Sequence, residues 1–175
     1  MLLVDMLCLE HKIQDRLADS SSYQYASHTD PFNITPADLL NELNALGGAG
    51  YCRLMTSNLV MRRNEASPAN CTFEILNYTS GALEAYLNVL NSQGEKGYEP
   101  SVNISGVQFW VKDTTQQVTY HYYALDAQHT DTDLLNQANA EGATGAVRWV
   151  GVLSFSDKWI YRRTTNCSRW WLCGG

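Results

Sequence analysis

The run Tyr120-His121-Tyr122-Tyr123 is where an imidazole falls inside a strand-like alternation. That alternation places Tyr120 and Tyr122 on one face and His121 with Tyr123 on the other. As a catalyst, His121 would act as a general base beside Tyr123, given a carboxylate brought in by another part of the fold. The remaining histidines, His11, His28 and His129, stand outside any such pattern. The sequence contains no G-x-S-x-G, H-E-x-x-H or P-loop motif. The five cysteines, Cys8, Cys52, Cys71, Cys167 and Cys173, form no C-x-x-C pair and have no histidine at finger-like spacing. Neither a metal site nor any other cofactor is expected. The apolar N-terminus is broken at Asp5 and lacks a basic leader and a small-residue cleavage site, so it makes a poor signal peptide. The odd cysteine count then reads as reduced, structural thiols in a cytoplasmic protein. Sequons at Asn33, Asn70, Asn77, Asn103 and Asn166 would carry glycans only in a secreted eukaryotic protein.

A second concentration of reactive types closes the chain, in residues 164–175. It holds Cys167, Arg169, Trp170, Trp171 and Cys173 ahead of Gly174-Gly175. Four readings compete. The tryptophans cap the open end of a stacked array. Alternatively, Arg169, Trp170 and Trp171 anchor a protein partner, since Trp and Arg dominate interface hot spots. A third reading makes the tail the core of a ribosomally made precursor peptide, modified at Cys167 or Cys173, with the rest of the chain as its leader. The last is a Gly-Gly conjugation tail, against which the bulky residues before it argue.

Behind these groups lies an internal repeat. Residues 39–51, 86–98 and 134–146 align without gaps on L-N-x-[LA]-N-[AS]-x-G-x-x-G. Equivalent glycines fall at Gly47, Gly94 and Gly142, spacings of 47 and 48 residues. Leu39, Leu40, Leu43 and Leu46 recur at helical spacing. Pro36 with Asp38, and Thr130 to Asp133, supply helix-start signals. The first glycine of each pair (47, 94, 142) suits the left-handed position past a helix end. The second (Gly50, Gly97, Gly145) suits a tight turn into the next strand. A phosphate cradle or KH-type clamp is disfavoured, because these glycines follow a helix instead of preceding one.

Strand-like runs flank each helix. Tyr23 to Tyr25, Cys71 to Leu76 and Val118 to Leu125 lead, and paired runs follow at 51–63, 102–112 and 147–163. The expectation is an α+β protein of three tandem βαββ repeats, with helices packed on one face of antiparallel sheet. The boundaries are 23–66, 67–114 and 115–163, in one compact domain. Residues 1–22 form an extension, helical over Leu2 to Leu17.

The repeated asparagines Asn41/Asn44, Asn88/Asn91 and Asn136/Asn139 need a cause, since Asn is a mediocre helix former. Either each amide satisfies a neighbouring strand edge or loop, or the pairs form three equivalent binding sites. Arg62, Arg63, Lys112, Arg162 and Arg163 lie at hairpin ends, either as one anion patch or as solvated charges that discourage edge pairing.

This pattern resembles a group of small bacterial domains of unknown function, whose helix ends L-N-x-L-x-x-x-G-x-x-G-[WY] between a strand and a hairpin closing on basic residues. Tyr51 and Tyr98 fit the aromatic position and Ala146 departs from it. The resemblance implies a βαββ fold and no particular activity.

Composition narrows the function classes. The net charge of −6 opposes nucleic-acid backbone binding and gives no support to an anionic membrane surface. No apolar run is long enough to span a bilayer. A non-catalytic protein-binding or assembly module, partnered by another protein or by itself, is the expected role. A precursor peptide and an enzyme around His121 are the rival classes.

Overall fold

The computed structural model describes residues 22–27, 33–54, 60–77, 81–104, 106–149 and 157–166. The expected N-terminal helix and the Cys/Trp-rich tail from Cys167 onward lie outside these residues. Among the described residues the order strand, helix, strand, strand occurs three times. Strand β1 (Tyr23–Ser27) leads to helix α1 (Pro36–Gly48), then β2 (Arg53–Leu54) and β3 (Val60–Asn64). Next come β4 (Cys71–Ile75), α2 (Leu83–Gly94), β5 (Glu99–Ile104) and β6 (Val107–Asp113). The last set is β7 (Tyr120–Asp126), α3 (Asp131–Gly142), β8 (Ala146–Trp149) and β9 (Lys158–Thr164).

The helix ends follow from local chemistry. Thr35 and Thr130 cap α1 and α3, each accepting a backbone hydrogen bond from the aspartate three residues on, Asp38 and Asp133, at 3.2 Å. Helix α2 starts after Ala82, which offers no side-chain cap. At the other end, Tyr51 N–H donates to Leu46 C=O at 3.0 Å and Gly50 N–H to Gly47 C=O at 2.9 Å. Tyr98 and Gly97 repeat the pair on Gln93 and Gly94 at 3.0 and 2.9 Å. This is the Schellman arrangement, in which the left-handed residue is the second glycine. Gly50, Gly97 and Gly145 have φ of 93°, 86° and 79°. The expected glycine roles are therefore corrected. Gly47, Gly94 and Gly142 remain inside the helices, where their lack of a Cβ has a different use.

Each set of strands makes its own antiparallel sheet, in the orders β1-β3-β2, β4-β6-β5 and β7-β9-β8. The leading strand is thus always an edge and the last strand is central. Registers are equivalent across the three: Tyr25 faces Arg62, Phe73 faces Val111, and Tyr122 faces Arg162.

The apolar core lies between the sheets. One cluster joins Leu39 and Leu43 of α1, Met61 of β3, and Cys71, Phe73 and Phe109 of the second sheet. The next joins Tyr86 and Leu90 of α2, Trp110 of β6, and Tyr122 and Ile160 of the third sheet. Each of these helices is clamped between its own sheet and the following one. The middle sheet carries α1 on its Phe73/Phe109 face and α2 on its Trp110 face. That corrects the expectation of helices on one face only. Phe109 and Trp110 point to opposite sides of β6 and are 1% and 0% exposed, which a one-faced sheet would not allow. Full burial of each such side chain contributes about 2 kcal/mol or more.

Candidate docking site

The second asparagine of the motif explains how a helix seats on the next sheet. Asn44 Nδ2 donates to Phe73 C=O at 3.1 Å, while Phe73 N–H donates to Asn44 Oδ1 at 2.7 Å. Asn91 does the same to Tyr122, at 2.9 Å to its C=O and 2.7 Å from its N–H. A carboxamide offers a donor and an acceptor side by side, as a strand backbone does. Each amide therefore completes the outer edge of a leading strand, and of the two asparagine readings it is the strand-edge one that this geometry fits. The first asparagine of each pair, Asn41, Asn88 or Asn136, is exposed.

Replacing Asn91 with Ala would leave two partly buried backbone groups without this partner. The expected cost is about 2 kcal/mol, read as a shift in the denaturant midpoint. Asn88→Ala is expected to leave the midpoint within ~0.5 kcal/mol of the parent.

The first glycine lets the same seat close. A Cβ on Gly47 would lie 2.3 Å from the Cys71 carbonyl oxygen, and one on Gly94 would lie 2.4 Å from that of Tyr120. Backbone meets backbone there with no room for a methyl group.

The seat recurs in sequence, but among the described residues it is not filled a third time. Helix α3 has no buried residue. Leu135 is 60% exposed, Asn139 is exposed, and a Cβ on Gly142 would meet nothing within 4 Å. At the opposite end, Tyr25 stands where Phe73 and Tyr122 stand, yet is 57% exposed against their 5% and 1%. Among the described residues, no side chain bonds the backbone of Tyr25.

Two further links secure the filled seats, and both use the residue five positions after the helical glycine. Cys52 forms a disulfide with Cys71, their Cα atoms 5.6 Å apart. At the equivalent place Glu99 forms an ion pair with Arg162. The disulfide corrects the expectation of reduced thiols. Such a bond persists in oxidising compartments, so the cysteines no longer argue for the cytoplasm. Reducing it, or making Cys52→Ser with Cys71→Ser, releases a link across 19 residues of separation. The expected loss is about 3 kcal/mol, seen by comparing unfolding with and without reductant; an unchanged midpoint would contradict it.

Burial opposes the charge on Arg162, but Glu99, followed by Tyr122 and Tyr120, outweighs it and the guanidinium holds its proton more tightly than usual. Tyr120 is pushed up to about 12 by burial first and by Glu99 second, so this phenol stays neutral. Glu99, Tyr120 and Arg162 line an open cleft of about 460 Å³ together with Cys52, Cys71 and Asp113. His121 is not among the residues lining it.

The other expected site residues are spent locally. Arg62 lies over the Tyr23 ring at 4.2 Å, Arg63 over Tyr51 at 5.4 Å and Lys112 over Tyr98 at 5.8 Å. Arg63 also donates to the Ala49 carbonyl at 3.2 Å, closing the end of α1. Arg162 lies over Tyr120 at 4.8 Å, and Arg163 over Tyr123 at 5.7 Å. His121 is exposed and stacks on Tyr123, their centroids 6.0 Å apart. The Tyr123 hydroxyl donates to Glu141, a carboxylate of the following helix and not of a distant segment. Burial and that carboxylate raise the Tyr123 pKa. His121 and Tyr123 thus adjoin each other and an acid, but on an open strand surface. Arg169, Trp170, Trp171, Cys167 and Cys173 lie outside the described residues.

Among the described residues, no cluster of three or more His, Cys, Asp or Glu could hold a metal ion, and no helix is long and apolar enough to cross a membrane. Comparison with known proteins finds no matching family, no matching curated protein and no matching solved structure.

Proposed function

We propose that the chain is three stacked copies of one βαββ unit and that it works as a non-catalytic protein-binding or assembly module. The observation that carries this reading is the seat used twice inside the molecule and, among the described residues, left open at both ends. A helix that exposes Leu135 beside an unengaged amide, and an edge strand with an unengaged aromatic, are surfaces that a monomeric protein normally covers. The polar cleft and the exposed His121 supply no comparable enclosed pocket. The Trp-rich tail is a second element of the binding role in this proposal.

A photo-crosslinking residue placed at Leu135 or Val147, which are 60% and 47% exposed, tests the reading in the source cells. Protein adducts at these positions, and none at the exposed control Lys96, are expected. No protein adduct at either position would overturn it.

A further inference from the structure

We propose that the partner is a second copy of this chain, docked head to tail, with α3 of one molecule seated on β1 and the outer face of the first sheet of the next. The inference rests on the assembly reading and names its partner. The two filled junctions define what such a contact needs, and the open ends carry the two halves of it.

On the helix side, Asn139 occupies the place of Asn44 and Asn91, and its amide is free, among the described residues, to close on a strand edge. Gly142 takes the place of Gly47 and Gly94, and the space before it is open where theirs is filled by a carbonyl oxygen. Leu134 corresponds to Leu39 and Tyr86, and Leu135 to Leu40 and Leu87, which pack against the two apolar clusters. Val147, exposed, corresponds to Cys52 and Glu99, the residues that link each filled junction.

On the strand side, Tyr25 and Arg62 share the register of Tyr122 and Arg162, which places the Tyr25 N–H and C=O on the outer edge where Asn91 meets Tyr122. Tyr23 under Arg62 reproduces Tyr120 under Arg162, at 4.2 and 4.8 Å. In the docked pair, Asn139 bonds the Tyr25 backbone, Gly142 lies against the Tyr23 carbonyl, and Val147 meets the Tyr23–Arg62 pair.

Charge fits the same polarity. Helix α3 carries Asp131, Asp133 and Glu141 and no Lys or Arg. The receiving face carries Arg53 opposite Arg62 on neighbouring strands, and like charges there gain from an acidic partner. Ala138 replaces the buried Leu43 and Leu90, and no disulfide is available at Val147. The contact between molecules is therefore weaker than those within one, and reversible. Because its two halves are different surfaces, it is heterologous and builds a ring or a filament, not a two-fold dimer.

Sedimentation velocity over a range of concentrations tests this on the full chain. The wild type should grow beyond a dimer as concentration rises. Gly142→Ala fills open space in a helix and Tyr25→Arg alters an exposed side chain, so both should fold, as circular dichroism will verify. Each alone should stay at the mass of one chain, with Asn139→Ala as a second block on the helix side. In an equimolar mixture of the two, Gly142→Ala blocks the helix half and Tyr25→Arg the strand half, so only one competent junction can form between them: the intact α3 of Tyr25→Arg on the intact β1 of Gly142→Ala. That single junction should give a species of twice the single-chain mass and nothing larger.

A wild type that keeps one-chain mass at every concentration overturns the proposal, as does association that neither substitution changes. A mixture that fails to double in mass overturns the head-to-tail polarity. Crosslinks from Leu135 separate this inference from the reading beneath it. Adducts to residues 23–27 of another copy support both, adducts to a different protein overturn only this one, and no adduct overturns both.

Discussion

Gly94→Val is expected to be among the most destabilising single substitutions in the described chain, costing about 4 kcal/mol. The reason is the nature of what the new side chain meets. A Cβ at Gly94 falls 2.4 Å from the Tyr120 carbonyl oxygen and 3.1 Å from its carbon. A flexible side chain could turn away, but this carbonyl belongs to a strand held by β9 through seven paired positions. Relief requires α2 to lift from the third sheet. That movement breaks both Asn91 hydrogen bonds and opens the packing of Leu90 on Tyr122. Overpacking usually costs about 1–3 kcal/mol, and the coupled losses place this case above that range. Gly142→Val, at the matching position of α3, meets nothing within 4 Å and is expected to stay within about 1 kcal/mol of the parent. Thermal melting of the two variants side by side checks the contrast; equal melting temperatures would contradict it.

Trp110→Ala is expected to cost a similar amount, about 4 kcal/mol, or a fall in Tm of roughly 12 °C for a chain of this size. Trp110 is 0% exposed and is the largest fully buried side chain described. It packs with Tyr86 and Leu90, and its indole N–H donates to the Leu76 carbonyl at 3.2 Å. Truncation leaves a cavity between α2 and its own sheet and removes the partner of that carbonyl. Trp110→Phe keeps most of the volume and loses the hydrogen bond, so its cost should be nearer ~2 kcal/mol. A Trp110→Ala protein that melts with the parent would mean that α2 is not packed on the second sheet as described.

The periodic glycines and asparagines make the α+β organisation legible in the sequence itself, because a helix end and a strand edge each need particular chemistry. Reading the first glycine as the left-handed one failed for a clear reason. A glycine needed for close approach and one needed for positive φ look the same in sequence, and three residues separate them. The covering of the middle sheet on both faces had a signal in Phe109-Trp110-Val111, an unbroken apolar run where a one-faced strand would alternate. The Cys52–Cys71 link had none, since Cys52 lies just before β2 and Cys71 in β4 of the next sheet, and no spacing motif joins them.

The open seat was half legible. Ala138 stands where Leu43 and Leu90 are buried, and Ala146 where Tyr51 and Tyr98 close the motif, so the third helix already differs in sequence. What the sequence does not convey is direction. Helix α1 seats on β4 and α2 on β7, each the leading strand of the next sheet, and among the described residues that order leaves β1 and α3 as the two unmatched ends. The pairing of Tyr25 with Phe73 and Tyr122 emerges only once their registers against the central strands are known.

Amide hydrogen exchange resolved residue by residue tests the central claim, that one kind of seat is filled twice within the chain and offered once outside it. In dilute solution the Phe73 and Tyr122 amides, which donate to Asn44 and Asn91, should exchange at least ~10-fold more slowly than the Tyr25 amide. The Tyr25 amide should slow as concentration rises in the wild type and remain fast in Gly142→Ala. Equal exchange at all three amides in dilute solution, or a Tyr25 amide indifferent to both concentration and Gly142, would contradict the account.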